Sequence, residues 1–282
     1  MNRLSGNNKF NLNYKKRPFD SYKSIVDKLD EETKNKLDRQ RTMGMFAIVI
    51  GAALLILILA VTGIAVDKTR SVTGNVFVDK ENVLIECFGD SITEGWTLND
   101  EEVSYYSEPA YPEEMKTELL RLFDEDERKY NFKTLEVKNY GQTAACLYAD
   151  SASRLSGNAD IVLMLYIANN FIDRVDYEGV LESNIDLINN AGSKLFLLNY
   201  PYTDDCENKD KIEQANNLIL NTAEKLSVTF IDVNSYFNGL MQEYSQQELY
   251  CSDGLHLTDL GYKLLGDFAA RQVYDYYLEN YK

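Results

Sequence analysis

Short apolar segments alternate with segments of helical period after residue 82. The apolar segments are rich in β-branched residues and end in turn residues, and they predict five strands: 82–88, 134–140, 160–167, 194–200 and 228–233. Helices are predicted over 112–123, 144–154, 177–191, 208–226, 234–244 and 258–281. This alternation predicts a flavodoxin-like three-layer α/β/α sandwich with a mainly parallel five-stranded sheet.

A different pattern precedes that region, because residues 43–66 contain no charged side chain. A helix of that length spans about 36 Å, which exceeds the roughly 30 Å of a bilayer core. A buried helix of a soluble domain would show a polar stripe, and none is present here. The segment therefore predicts one N-terminal transmembrane helix.

Charge is unevenly distributed around this segment. Residues 1–42 carry 11 Lys and Arg against 6 Asp and Glu, whereas the chain from residue 67 onward carries 18 against 39. The positive-inside rule then predicts a cytoplasmic tail (1–42), a stalk (67–82) and an extracellular domain (83–282) on a single-pass protein of the cell membrane. A cleavable signal peptide is the alternative, but its apolar region is usually only about 7–15 residues long.

The composition narrows the classes of function. The net charge of −16 argues against nucleic acid as a partner, because phosphate binding needs clustered Lys and Arg. The single histidine, His256, excludes a His-rich metal cage, and no C-x-x-C pair occurs among the four cysteines. We therefore expect neither a metal nor an organic cofactor.

The sequence GDSITEG (89–95) directly follows the first predicted strand. A serine at such a strand-to-helix turn exposes both its hydroxyl and its backbone N–H, so Ser91 is a candidate nucleophile. The competing interpretation is a helix cap, because Ser91 and Glu94 also fit the S-x-x-E capping box. Thr93 occupies the last position of G-x-S-x-G, so the nucleophile elbow of α/β-hydrolases is not indicated.

The sequence SDGLH (252–256) precedes the last predicted helix. An acid three residues before a histidine can reach back to its Nδ1, which fixes the tautomer and leaves Nε2 as a base. Asp253 and His256 are therefore a candidate acid and base, although Asp-Gly is also a common turn.

Two further turns follow the second and third predicted strands, NYG (139–141) and ANN (168–170). Gly141 and Asn169 are candidate oxyanion donors there, since glycine permits close approach of the backbone and asparagine supplies an N–H. Each turn taken separately also fits a plain loop or cap. All four motifs fall at one edge of the predicted sheet.

Together these motifs resemble the SGNH/GDSL hydrolase family over most of residues 83–275. The resemblance implies Ser91 as nucleophile and first oxyanion donor, Gly141 and Asn169 as further donors, and Asp253 and His256 as acid and base. The third motif departs from the family pattern Gly-x-Asn-Asp. Ile167 replaces the glycine and Asn170 the final aspartate.

The resemblance implies a serine esterase or acylhydrolase for short-chain acyl esters, especially acetyl esters, often on carbohydrate. An acidic domain repels anionic polymers, which favours a small ester or a neutral acylated glycan. An O-acyltransferase with the same triad and an inactive surface-binding module are the alternatives. Four aromatic residues follow the first motif and are candidates for a sugar site: Trp96, Tyr105, Tyr106 and Tyr111. In a chain with 20 tyrosines, however, we expect them to have ordinary surface or core roles.

All four cysteines fall outside the membrane on this topology, where disulfides are permitted. A bridge between Cys206 and Cys251 would brace the loop before His256, and it is one of several pairings that four cysteines allow. Cys87 lies inside a predicted strand, and we expect it to be a buried free thiol.

Overall fold

The computed structural model describes residues 81–99, 101–126, 132–177 and 179–280. The predicted tail (1–42), the predicted transmembrane helix (43–66) and nearly all of the stalk (67–82) lie outside these ranges. None of the helices within them combines the length and the apolar character needed to cross a bilayer.

Seven strands are present in the described residues: β1 (Asn82–Gly89), β2 (Trp96–Leu98), β3 (Ser104–Tyr106), β4 (Thr134–Gly141), β5 (Ile161–Leu165), β6 (Lys194–Leu198) and β7 (Thr229–Ile231). Five of them form one sheet in the order β4-β1-β5-β6-β7, and every pair in it is parallel. The predicted five-stranded parallel sheet is confirmed. The order reverses between β1 and β5, and ligand sites of open parallel sheets form beyond the strand ends at such a switch point.

Helices flank this sheet: α1 (Ser91–Glu94), α2 (Tyr111–Glu125), α3 (Ala168–Ile172), α4 (Val180–Ala191), α5 (Lys209–Leu226), α6 (Val233–Leu240), α7 (Gln246–Leu249) and α8 (Asp259–Asn280). Helices α2 and α8 pack against each other, while α4 and α5 both contact β6. The predicted three-layer sandwich is therefore confirmed. The central strand β5 is buried along its whole length, as expected for a sheet covered on both faces.

The helix predicted over 144–154 is wrong, because only a short 3-10 helix, Ser151–Arg154, forms there. Buried asparagine side chains form hydrogen bonds with the backbone groups of this loop. Asn170 Oδ1 accepts from Leu147 N at 2.8 Å, and Asn184 Oδ1 accepts from Ala152 N at 2.6 Å. Asn170 Nδ2 also donates to the carbonyls of Leu147 (2.9 Å) and Asp176 (3.2 Å). Because side chains from other elements bind these backbone N–H and carbonyl groups, the loop does not need the hydrogen bonds of a helix to satisfy them.

We expect Asn170→Asp to destabilise the fold by about 2–4 kcal/mol at neutral pH. The fully buried Asn170 donates to two carbonyls, and a carboxylate would face both without a proton to share. Urea unfolding measures the change. Asn217→Asp on exposed α5 surface is the matched control and should change the unfolding free energy by less than about 0.5 kcal/mol. Equal effects of the two substitutions would contradict this role of Asn170.

Candidate active site

Ser91 is the first residue of α1, directly after β1 ends at Gly89. The helix is capped by Asp90, whose Oδ1 accepts from Ile92 N at 3.3 Å, so Ser91 is not the capping residue and that interpretation is wrong. The Ser91 hydroxyl instead lies 2.8 Å from His256 Nε2. A Cβ atom at Gly89 would lie only 2.4 Å from the Leu165 carbonyl oxygen, so glycine permits the tight turn that presents the serine.

The loop before α8 holds the imidazole by its other nitrogen. His256 Nδ1 lies 2.6 Å from Asp253 Oδ2, and Asp253 Oδ1 accepts from the N–H groups of Leu255 and His256 at 3.0 Å each. Desolvation raises the pKa of Asp253, but the hydrogen bond and charge of His256 and these N–H groups outweigh it and hold the pKa below its usual value. An ionised Asp253 keeps the proton on Nδ1, which turns an unprotonated Nε2 toward Ser91.

Asn169 lies at the start of α3, just beyond the end of β5. Its Nδ2 donates to the Ala145 carbonyl at 3.0 Å, which uses one of the two amide hydrogens. Asn169 also lines the same cleft as Ser91 and His256. The structure therefore brings together Ser91, His256, Asp253 and Asn169 as the sequence predicts.

Gly141 is placed differently from its predicted role as an oxyanion donor. Its N–H donates to Asn139 Oδ1 at 2.9 Å and so is already engaged. A Cβ atom there would lie 2.1 Å from Glu94 N, so glycine is required for the end of β4 to pack against α1. Gly141 therefore provides close packing, and its N–H is bound within its own turn.

Ala144 is a functional candidate that the sequence did not reveal. Its φ of 56° is left-handed, and its N–H meets no acceptor in the described part of the chain. It precedes Ala145, whose carbonyl holds Asn169. Alanine rarely adopts this conformation, so only the backbone geometry, and no residue type, marks the position.

Ile167 has a φ of 112° and is fully buried. The glycine of the family pattern would adopt this conformation freely, whereas a β-branched residue there costs about 1–3 kcal/mol. The second departure, Asn170, is compensated because its amide orders the neighbouring loop through three hydrogen bonds.

A buried network that the sequence did not predict connects these turns. Tyr200, which follows β6, donates its phenolic proton to Asp90 Oδ2 at 2.6 Å and accepts from Ala168 N at 3.2 Å. Burial raises the pKa of Asp90 to about 6, although the bonds from Tyr200 and Ile92 and the charge of His256 oppose the rise. Burial likewise raises the pKa of Tyr200 well above its usual value, so the phenol stays a donor.

The cleft above the serine has a volume of about 320 Å³. Its walls include Ile172, Cys206 and Leu255 as well as polar groups. No group of three or more His, Cys, Asp or Glu side chains within the described ranges is placed to hold a metal ion.

The proposed bridge between Cys206 and Cys251 does not form, since all four cysteines are free thiols. Cys251 points toward β2 instead, where its Sγ accepts from Leu98 N at 3.3 Å and lies 3.3 Å from Thr97 Oγ1. Cys87 is a buried free thiol, as predicted.

Residues 87–264, more than half of the chain, match the model of the GDSL-like lipase/acylhydrolase family. The chain belongs to this family. Like the family, it is an ester hydrolase, and its substrates are acyl esters. Among curated proteins, no sequence matches this chain.

Solved structures give the GDSL-family fold a second line of support. An aryl esterase of M. smegmatis is similar at 16% identity with a TM-score of 0.52, over 68% of this chain and 99% of that one. A mutant of an acetyl-xylooligosaccharide esterase from Geobacillus stearothermophilus is similar at 18% identity with a TM-score of 0.52, over 68% and 94%. At this level of identity the likeness shows the fold.

We expect Tyr200→Phe to lower the unfolding free energy by about 2–3 kcal/mol near pH 7.5, because it leaves a buried carboxylate and the Ala168 N–H unpaired. The raised pKa of Asp90 means that its contribution to stability is complete below about pH 4 and is lost as the pH rises through about 6. Removing the opposing hydrogen bond raises that pKa further. The cost of the substitution should therefore be smaller near pH 4, where the folded Asp90 is protonated in wild type and variant alike.

Tyr250→Phe is the matched control, since the Tyr250 hydroxyl is buried without a hydrogen-bond partner in the described structure. It should change stability by no more than about 1 kcal/mol, equally at both pH values. Urea unfolding of both variants at the two pH values gives the comparison. A Tyr200→Phe cost that is independent of pH would contradict the coupling to Asp90.

Proposed function

We propose that this GDSL-family hydrolase cleaves short acyl esters, especially acetyl esters, on a neutral carbohydrate, with Ser91, His256 and Asp253 as catalytic triad. One observation carries the proposal: the Ser91 hydroxyl lies 2.8 Å from an imidazole whose far nitrogen lies 2.6 Å from a carboxylate. That chain of contacts supplies a nucleophile, a base and the group that orients the base.

The chemistry proceeds in two halves. Ser91 Oγ attacks the ester carbonyl and transfers its proton to His256 Nε2, while Asp253 stabilises the imidazolium. The tetrahedral intermediate collapses when the bond to the alkoxy oxygen breaks, and His256 returns the proton to that oxygen. Water then adds to the acyl-enzyme with His256 again as base, which releases the carboxylic acid and restores the serine.

We assign stabilisation of the oxyanion to three N–H groups. The N–H of Ser91 begins α1 and has no acceptor within the described residues, and the second amide hydrogen of Asn169 is free. The third is the Ala144 N–H, which has no acceptor in the described part of the chain and precedes Ala145, whose carbonyl binds Asn169. Hydrogen-bond donors that are fixed in advance in this way stabilise developing charge without reorganisation. Ala144 takes the place that the sequence suggested for Gly141.

Size and charge support the proposed substrate. A cleft of about 320 Å³ suits a short acyl group and is at the lower end of ligand sites. Acidic residues predominate from residue 67 onward, which disfavours anionic substrates. The activity of one structural relative, an acetyl-xylooligosaccharide esterase, agrees with an acetylated neutral sugar.

We also propose that residues 43–66 anchor the protein in the cell membrane with the catalytic domain outside. The uncharged segment and the basic residues before it support this orientation.

Ser91→Ala should lower kcat/KM for a short acetyl ester by at least about 10³-fold, because the nucleophile is removed. It should also abolish labelling by a fluorophosphonate probe. Ser252→Ala is the matched control, since Ser252 lines the same cleft but lacks the contact with His256, and this variant should label normally. Equal labelling or turnover by wild type and Ser91→Ala would refute the proposed triad.

External protease on intact cells should degrade residues 83–282 and spare an epitope placed in residues 1–42. Permeabilised cells should lose both, which shows that the epitope is cleavable. A soluble mature protein that begins after residue 66 would refute the anchor and support a cleaved signal peptide.

A further inference from the structure

We propose that the β2–β3 hairpin is a sugar-binding site, in which Trp96 and Tyr106 bind the pyranose ring of the alcohol that the ester releases. This site goes beyond the triad, although it rests on the proposed function. The hairpin lies beside the imidazole, where the Trp96 and His256 rings are 4.2 Å apart between centroids at an angle of 62°.

The direction of proton transfer places the sugar on this side. His256 Nε2 must donate a proton to the alkoxy oxygen as the ester breaks, so that oxygen lies within hydrogen-bond reach of the imidazole. The sugar that carries the oxygen then lies against whatever surrounds the imidazole. Trp96 is the aromatic side chain in direct ring contact with it in the described structure.

The second aromatic ring follows from strand register. Trp96 pairs directly with Tyr106 across the antiparallel hairpin, so both side chains lie on one face. The partly buried Trp96 adjoins the imidazole, whereas Tyr106 is 49% exposed. The two side chains are therefore neighbours on one face of the hairpin, with Trp96 next to His256.

The hairpin is fixed before any ligand arrives. Thr97 Oγ1 donates to the Leu257 carbonyl at 2.7 Å, and Tyr262 OH donates to the Trp96 carbonyl at 2.5 Å. Tyr105 OH donates to Asp259 Oδ2 at 3.1 Å. These contacts attach both strands to the His256 loop and α8, so little conformational entropy is lost when a sugar binds.

The chemistry of the surface selects a neutral sugar. A pyranose ring presents apolar C–H groups on its face and hydroxyls at its edge, which matches aromatic rings that carry a polar atom at the rim. The exposed hairpin tip carries Glu101 and Glu102, and these repel an anionic sugar. Tyr111 takes no part, because it is fully buried in the core.

A second groove of about 630 Å³ is the competing location. Ala144, Ala145, Arg154 and Tyr148 line it, and Tyr148 is 59% exposed. Ala144 lines this groove, whereas His256, Ser91 and Asn169 line the other cleft, so the groove is not the side on which His256 protonates the alcohol. Tyr148 therefore provides a matched control for Tyr106.

The first test compares acetylated xylotriose with ethyl acetate, whose alcohol has no pyranose ring to bind Tyr106. In the full-length protein, Tyr106→Ala should lower the ratio of kcat/KM for the sugar ester to that for ethyl acetate by about 3- to 10-fold. Tyr148→Ala should leave this ratio unchanged. A fall with Tyr148→Ala and none with Tyr106→Ala would overturn the proposal in favour of the second groove.

The second test uses the fact that Trp96 is the only tryptophan in the chain. Titrating xylotriose into full-length Ser91→Ala protein should change tryptophan emission saturably, and adding Tyr106→Ala should weaken that binding about 3- to 10-fold. If wild type hydrolyses the sugar ester but xylotriose does not change the emission of the Ser91→Ala protein, the hairpin site is refuted and the proposed function is not. Absence of ester turnover would refute the proposed function, whereas the emission readout needs no turnover.

Discussion

One buried phenol joins the carboxyl ends of three neighbouring strands, and the site depends on that junction. Tyr200 follows β6, Asp90 follows β1 and Ala168 follows β5, and the Tyr200 hydroxyl bonds to both partners. A buried carboxylate without such a donor would incur a large desolvation cost. The position of Ser91 relative to Asn169 is therefore coupled to the position of β6, which carries no residue of the proposed triad.

The same junction helps to hold the strained turn at Ile167 in place, because Ala168 directly follows that residue. A fully buried isoleucine with a φ of 112° persists only where the surrounding contacts over-determine the backbone. The Ala168 N–H bonded to Tyr200 and the Asn170 amide bonded to Leu147 follow immediately in sequence. They fix the chain on the far side of Ile167, so the glycine of the family pattern is dispensable here.

The sheet and the contact between Asp253 and His256 were predictable because their signals are local or repeat along the chain. Strand patterns are read within a few residues, and Asp253 and His256 are three residues apart. The errors involve distant partners. Residues 144–154 do not form the predicted helix because Asn170 and Asn184, which are distant in sequence, bind their backbone N–H groups. Cys251 accepts a hydrogen bond from β2 and does not form a disulfide with Cys206. Gly141 was assigned by residue type, whereas the unpaired N–H belongs to Ala144, whose conformation no residue letter reveals.

In the proposed mechanism, the acyl-enzyme reacts either with water, which is hydrolysis, or with a second sugar, which is acyl transfer. The surroundings of the His256 imidazole influence which of these reactions follows. A hairpin face that holds the departing sugar also holds an incoming one, because the reverse step passes through the same transition state. In the proposed mechanism, His256 activates whichever hydroxyl lies at its Nε2, from water or from a sugar against Trp96. The ratio of acyl transfer to hydrolysis then depends on how long a sugar stays on that face compared with the time that water needs to attack the acyl-enzyme. Since the proposed triad acts in the same way in both reactions, its residues carry no information about the choice, and the choice falls to the proposed sugar site on the hairpin.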